Sequence, residues 1–285
     1  MANKGKYYES QFEEATIELL REAHWQYTFG DDIHRKYTDP LIEEDLRSFL
    51  ADQYKDKNLT SSEIDGIVAN LRNIGGQNDY YALRNTFLLY RDGYDFAYSD
   101  GRDNPFRLEY IDFKYPNHNV FRCVNQFVME QGRENRRPDI LLFINGIPVC
   151  IIELKNPTKQ NATIRDAHTQ ICTRYMRDIP ALLKYCALAV ISDGAKNALG
   201  TTYTPFEFFY EWKKIENEDK AGKGLDTLRT LIRGALSLER ILEILRDYVY
   251  FPDPTKEDDT TEIVCRYPQF FAANKLYENI KAHLR

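Results

Sequence analysis

Between Ile140 and Leu154 apolar residues fill nearly every position, interrupted by the pair Asn145-Gly146 and by Glu153. Two short apolar runs around such a pair predict a β-hairpin, and continuous apolarity predicts strands covered on both faces. Residues 106–114 and 119–129 alternate apolar and polar in strand fashion, Trp25–Asp31 looks like a short strand closed by glycine, and Ala187–Ser192 is an apolar strand stopped by Asp193-Gly194.

Helical spacing governs other segments. Over 8–24, Phe12, Ala15, Leu19 and Ala23 form one stripe, widened by Ile17 and Leu20. Helices are predicted at 40–54, at 61–73 behind the start signal Thr60-Ser-Ser-Glu63, and at 79–93, where Gly93 ends the run. Another spans about 163–177, with Ile164, Ala167, Ile171 and Tyr175 on one face. Leu228–Tyr248 reads as two helices broken near Leu236-Ser237, with Ser237 a candidate cap, and Ile263–Leu284 as a last one. Residues 194–200 and 216–224 read as polar loops, and the aromatic-dense 203–215 as core. An antiparallel hairpin followed by strand–helix–strand predicts an α/β fold: a mixed central β-sheet flanked by helices, with an added helical block at about 40–93. Phe251–Thr261, broken by proline and acidic, predicts a linker between residues 1–250 and 262–285.

The 285 residues can bury a substantial core, and their net charge of −6 gives no global field to attract nucleic acid. DNA binding would therefore need a local patch or partner subunits. The five cysteines are scattered without zinc spacing and read as core residues in a reducing compartment. With no signal peptide and no membrane-length apolar run, the expectation is a cytoplasmic protein with no membrane partner.

Three ionisable groups interrupt the greasy hairpin: Asp139, Glu153 and Lys155. Charge in such a place is costly unless paired, so their presence needs a reason. Glu153 and Lys155, two apart, share a strand face. A strict two-residue turn would pair Asp139 with Ile152 and put Glu153 on the opposite face. A three-residue loop Ile144-Asn145-Gly146, with Gly146 as the left-handed bulge residue, pairs Asp139 with Ile151 and gathers all three groups on one face. That register is the expectation. Two carboxylates and an amine so placed suit metal-assisted phosphodiester hydrolysis: Mg²⁺ favours carboxylate oxygens plus water, and Lys155 can orient the water or offset charge. The plainer alternative is a structural ion pair between Glu153 and Lys155. Arg133, Arg136 and Arg137 form a basic cluster that could hold phosphates beside the cut or simply be a solvated loop.

Pro138-Asp139 followed by Glu153-Leu154-Lys155 resembles the PD-(D/E)xK nuclease signature. The wider text, Val124-Asn-Gln-Phe-Val, Arg136-Arg-Pro-Asp-Ile, Asn145-Gly-Ile-Pro and Ile152-Glu-Leu-Lys-Asn-Pro157, resembles the restriction (R) subunit of type I restriction-modification enzymes. The likeness implies a PD-(D/E)xK endonuclease domain that cuts double-stranded DNA with Mg²⁺. Asp139 and Glu153 would be metal ligands, and Glu13 on the first helix a third acid of the metal site. Related subunits carry Gln-x-x-x-Tyr on the helix after the hairpin. Here the match is Gln170 and Tyr175, one residue too many, which turns Tyr175 about 100° away in a regular helix unless a π-bulge intervenes. Arg266–Lys275 resembles the segment that opens the first helicase-like motor domain, with Gln269 at the position that recognises the adenine of ATP. No Gly-x-x-x-x-Gly-Lys-Ser/Thr phosphate loop occurs, so ATP is expected only in a full-length protein. The resemblance further implies methylation and specificity subunits as partners. A second possibility is a silent nuclease fold that docks the R subunit onto those partners.

Overall fold

The computed structural model of the protein describes residues 2–155, 163–215, 222–252 and 260–284. Helix α1 (Ala2–Glu22) leads into β1 (Gln26–Phe29). The helical block comprises α2 (Glu43–Gln53), α3 (Ser61–Asn73) and α4 (Asp79–Asp92). Thr60 and Glu63 close a reciprocal capping box on α3, and Gly93 ends α4. Next come the hairpin β2 (Tyr94–Phe96) and β3 (Phe106–Leu108), then β4 (Phe121–Asn125). A small ribbon, β5 (Met129–Gln131) and β6 (Glu134–Arg136), precedes the central hairpin of β7 (Ile140–Ile144) and β8 (Ile147–Leu154).

Helix α5 (Ile164–Thr169) runs through a π-helical turn, Gln170–Tyr175, into α6 (Met176–Asp178) and α7 (Pro180–Leu183). After β9 (Leu188–Ser192) and β10 (Asn197–Gly200) come α8 (Leu225–Ala235) and α9 (Leu238–Asp247). A two-strand ribbon, β11 (Val249–Tyr250) with β12 (Ile263–Val264), brings the chain to α10 (Tyr267–His283).

The main sheet has the order β1-β4-β7-β8-β9-β10. The pairs β1–β4 and β8–β9 are parallel and the others antiparallel, so the sheet is mixed. Its two faces are both buried, which is why the hairpin is apolar at successive positions. On one face Ile140, Leu142, Cys150, Ile152 and Val190 meet the stripes of α1, α4, α8 and α9. On the other, Leu141, Phe143, Ile151 and Ala189 meet Ile171, Tyr175, Ile179 and Leu182 from the segment after the hairpin.

The expected register needs correction. The turn is a strict two-residue one, Ile144 opposite Ile147, with Asn145 and Gly146 both at positive φ as a type I′ turn requires. A Cβ on Gly146 would lie 2.1 Å from the Ile42 carbonyl oxygen, so only glycine fits. The bulge lies instead within β8: Phe143 faces Pro148, but Leu142 faces Cys150, leaving Val149 as the extra residue. Pro148 has no N–H to give the ladder, which accounts for the break at that point. The shift carries Ile140 opposite Ile152, so Asp139, one step further, faces Glu153 rather than Ile151. All three ionisable groups still share a face, by a different device.

Smaller differences have local causes. Residues 197–200 form β10 rather than a loop, because they extend the sheet beside β9. The last helix begins at Tyr267, since Ile263 and Val264 pair with β11 first. Ser237 stands at the start of α9 but makes no side-chain cap hydrogen bond. In the aromatic segment Phe209 and Trp212 are buried, whereas Phe208 is exposed. Residues 216–221, and 253–259 of the acidic linker, lie outside the described residues.

Candidate active site

Strand pairing places the first three functional groups. Asp139 enters β7 where β8 ends, and its Oδ2 accepts a hydrogen bond from the Leu154 backbone N–H at 2.7 Å. Its own carbonyl accepts from the Gln126 N–H at 3.2 Å, which fixes the start of the strand. Glu153 is 1% exposed. Its Oε1 accepts from Lys155 Nζ at 2.7 Å, and its Oε2 accepts from the Tyr175 hydroxyl at 3.2 Å.

The π turn supplies the rest. Lys155 Nζ also donates to Gln170 Oε1 at 2.8 Å, and Gln170 Nε2 donates to the Tyr175 hydroxyl at 2.7 Å. The two residues meet because a π turn stacks positions five apart, absorbing the extra residue of Gln-x-x-x-x-Tyr. Lys155, Gln170, Tyr175 and Glu153 thus close a ring of hydrogen bonds. Both polar atoms of the Gln170 amide are used, so its orientation is set.

Electrostatics mark the acid pair. Burial, and then the charge of Glu153, push the Asp139 carboxyl well above its usual range. Burial also raises Glu153, against the lowering pull of Lys155. Burial drives the Tyr175 hydroxyl up as well, so it stays a proton donor to Glu153. Two desolvated carboxyls side by side with one ammonium group hold an excess of negative charge when ionised, and a divalent cation would relieve it. The donor set therefore fits Mg²⁺, which takes one or two carboxylates and fills its shell with water.

Glu13 comes to the site from the other side of the sheet, on α1. Asn125 Nδ2 donates to its Oε1 at 2.7 Å, and Gln126 Nε2 donates to Oε1 at 3.1 Å and to Oε2 at 3.0 Å. Its charge contributes to the upward shift of Asp139. Among the described residues no three acidic, His or Cys side chains form a group that could hold one ion. Asn125 and Gln126 were missed as site residues. The signal was there in the polar pair that ends the apolar strand of Val124.

The three arginines part company. Arg136 is held by buried Asp178, Nε to Oδ2 at 2.7 Å, and by Glu134. That engagement takes it out of the free basic cluster. Arg133, at the tip of the β5–β6 ribbon, and Arg137, just before Asp139, are exposed and form no ion pair among the described residues. Gln269 lies far along the chain in the first turn of α10, where its Oε1 accepts from the Arg266 N–H at 2.9 Å. It borders a cavity of about 470 Å³ shared with Glu262, Arg266, Thr204 and Phe208. No described helix is long and apolar enough to cross a membrane.

With this geometry in place, comparison with known proteins is specific. A family model for the type I restriction enzyme R protein N terminus matches residues 6–208. The chain is 28% identical to the type I restriction enzyme HindI endonuclease subunit of Haemophilus influenzae, over 95% of the chain and 26% of that subunit. It is 27% identical to the putative type I restriction enzyme MjaIXP endonuclease subunit of Methanocaldococcus jannaschii, over 92% of the chain and 27% of the relative. The type I restriction enzyme EcoprrI endonuclease subunit of Escherichia coli is 27% identical over 76% of the chain. The chain spans about a quarter of the length of the first two relatives.

Proposed function

The chain belongs to the family of type I restriction enzyme R protein N termini, and from that premise we propose that it is the DNA-cutting domain of such an enzyme, of the PD-(D/E)xK kind. The observation that carries the reading is the ring in which Lys155, held at 2.7 Å by Glu153 and at 2.8 Å by Gln170, stands beside the Asp139–Glu153 pair. Asp139 and Glu153 would hold Mg²⁺. The bound ion would polarise a phosphoryl oxygen of double-stranded DNA and lower the pKa of the attacking water.

The chain's own side chains do the remaining work. Lys155 orients the water and offsets charge that builds on the phosphate. Gln170 and Tyr175 keep Lys155 and Glu153 from drifting, since each anchors one of them while bonded to the other. Arg133 and Arg137 hold backbone phosphates on either side of the cut. Because the net charge is −6, tight DNA engagement falls to the methylation and specificity subunits and to ATP-driven motors in a full-length protein, where Gln269 would meet the adenine of ATP. The cytoplasm is the compartment where such an assembly works.

A silent docking module is disfavoured by the same ring. A module that only docks gains nothing from burying two mutually repelling carboxyls, whereas a cation site needs them. The test uses an intact enzyme carrying Glu153→Ala or Lys155→Ala. ATP hydrolysis should persist while DNA cleavage falls by about 10²–10³-fold. Normal cutting by either variant ends the reading.

A further inference from the structure

Glu13 is held in an unusual way for a carboxylate in this protein. Asp45 is taken by Arg122, Glu63 by Arg102, and Asp178 by Arg136 and Arg177. Glu13 instead receives three contacts from two neutral amides, and no cation pairs with it among the described residues. Amide donors fix a carboxylate without cancelling its charge.

The amides are themselves fixed. The Tyr27 hydroxyl donates to Asn125 Oδ1 at 3.0 Å, which obliges Asn125 to turn its Nδ2 toward Glu13. Gln126 sits in the left-handed region at φ +54°, a conformation that bends the end of β4 and points its side chain at the same carboxylate. Its N–H is tied to the Asp139 carbonyl, so clamp and site share a backbone contact. Gly30 packs against both carbonyls from behind: a Cβ there would lie 2.7 Å from the Gln126 oxygen and 2.8 Å from that of Asn125.

We infer that Asn125 and Gln126, locked by Tyr27, are positioning residues that hold the Glu13 carboxylate in place next to the acid pair, so that it strengthens the cation site from the opposite side of the sheet. This deepens the proposed function and rests on it. Among the described residues Glu13 forms no three-acid ligand set with Asp139 and Glu153, so its contribution is to the field and to water around the ion. Neutral clamps suit that task; an arginine in their place would cancel the charge being delivered.

The test is a Mn²⁺ titration of the 285-residue chain, with free Mn²⁺ followed by its electron spin resonance signal. Wild type should bind saturably. Glu13→Gln and Gln126→Met should each weaken Mn²⁺ by about 10-fold, the lower end for an outer-shell partner. In the Glu13→Gln background Gln126→Met should cost nothing more, because the clamp acts only through that carboxylate. Tyr27→Phe keeps the packing and should give a smaller loss; it carries the test if Gln126→Met fails to fold. Wild-type affinity in the Gln126 or Tyr27 variant, or a loss undiminished without the Glu13 charge, overturns the inference alone. Absence of saturable Mn²⁺ binding by wild type overturns the cation site and the inference with it.

Discussion

Gln170 and Tyr175 stand five residues apart in sequence, yet their side chains meet at 2.7 Å across a single π turn. In an α-helix five residues sweep about 500°, leaving the two side chains about 140° apart. The backbone thus absorbs one extra residue and keeps the two side chains in contact. Removing exposed Thr173 should convert the turn to α-helix and leave the pair aligned four residues apart. The intact enzyme with that deletion should cut DNA as before, while Tyr175→Phe should lower cleavage by about 10–100-fold. Cleavage assays on both variants decide the matter: a folded deletion variant that cannot cut would give the bulge a role of its own.

Asp139 and Glu153 oppose folding when both are ionised. Both carboxyls are raised by burial, and Asp139 further by its neighbour. The native state therefore keeps protons that the unfolded chain releases above about pH 4. Stability contributed by these groups is complete below that range and falls as pH rises toward the native values. Asp139→Asn should leave the melting temperature near that of wild type at pH 4 and raise it at pH 8 in chelator, while cleavage is lost. Thermal melts across pH check the sign; a variant less stable than wild type at pH 8 would contradict it.

How much of this was legible in the sequence depends on what each residue needed. Glu153 and Lys155 were readable because two polar residues in an apolar strand have few other uses. The hairpin turn was readable because Asn-Gly is the pair a type I′ turn requires. The bulge was misplaced at the turn, since its cause, Pro148, lies inside a strand whose neighbours are set by tertiary pairing. Tyr27 and Asn125 escaped notice because 98 residues separate partners that a parallel strand pair brings together. Arg136 looked free for the same reason: its partner Asp178 is 42 residues away.

Arg133 and Arg137 should behave differently from Arg136. Replacing either exposed arginine with alanine should weaken DNA binding by the intact enzyme at low salt and reduce the slope of log K against log salt by about 1. Arg136→Ala should act on folding instead. It leaves buried Asp178 with only Arg177, whose side chain is 70% exposed, so the melting temperature should drop while the salt slope stays unchanged. Fluorescence anisotropy with a labelled duplex over a salt series separates the two classes. A full-sized change of slope for Arg136→Ala would return that residue to the DNA surface.

Glu262 supplies a second pH dependence, separate from that of the acid pair. Its carboxyl is 1% exposed and no cation pairs with it among the described residues. Ionised, it would push up the hydroxyls of Tyr80, Tyr90 and Tyr203 and the thiols of Cys172 and Cys186. Burial pushes its pKa well above the usual carboxylate value. The native protein therefore holds Glu262 neutral where the unfolded chain would ionise it, and its share of stability is full at low pH and lost as pH rises. The strand it precedes, β12, pairs with β11 and leads into α10, so the cost falls on that junction. Glu262→Gln keeps the shape and removes the ionisation. It should match wild type near pH 4 and exceed it in melting temperature at pH 8, with amide exchange slowed at Ile263 and Val264. Because Glu262 lies outside both the Asp139–Glu153 pair and the hydrogen-bonded ring, Mn²⁺ affinity should not move. A melting temperature that tracks wild type across the whole pH range would show that the Glu262 carboxyl ionises as freely folded as unfolded.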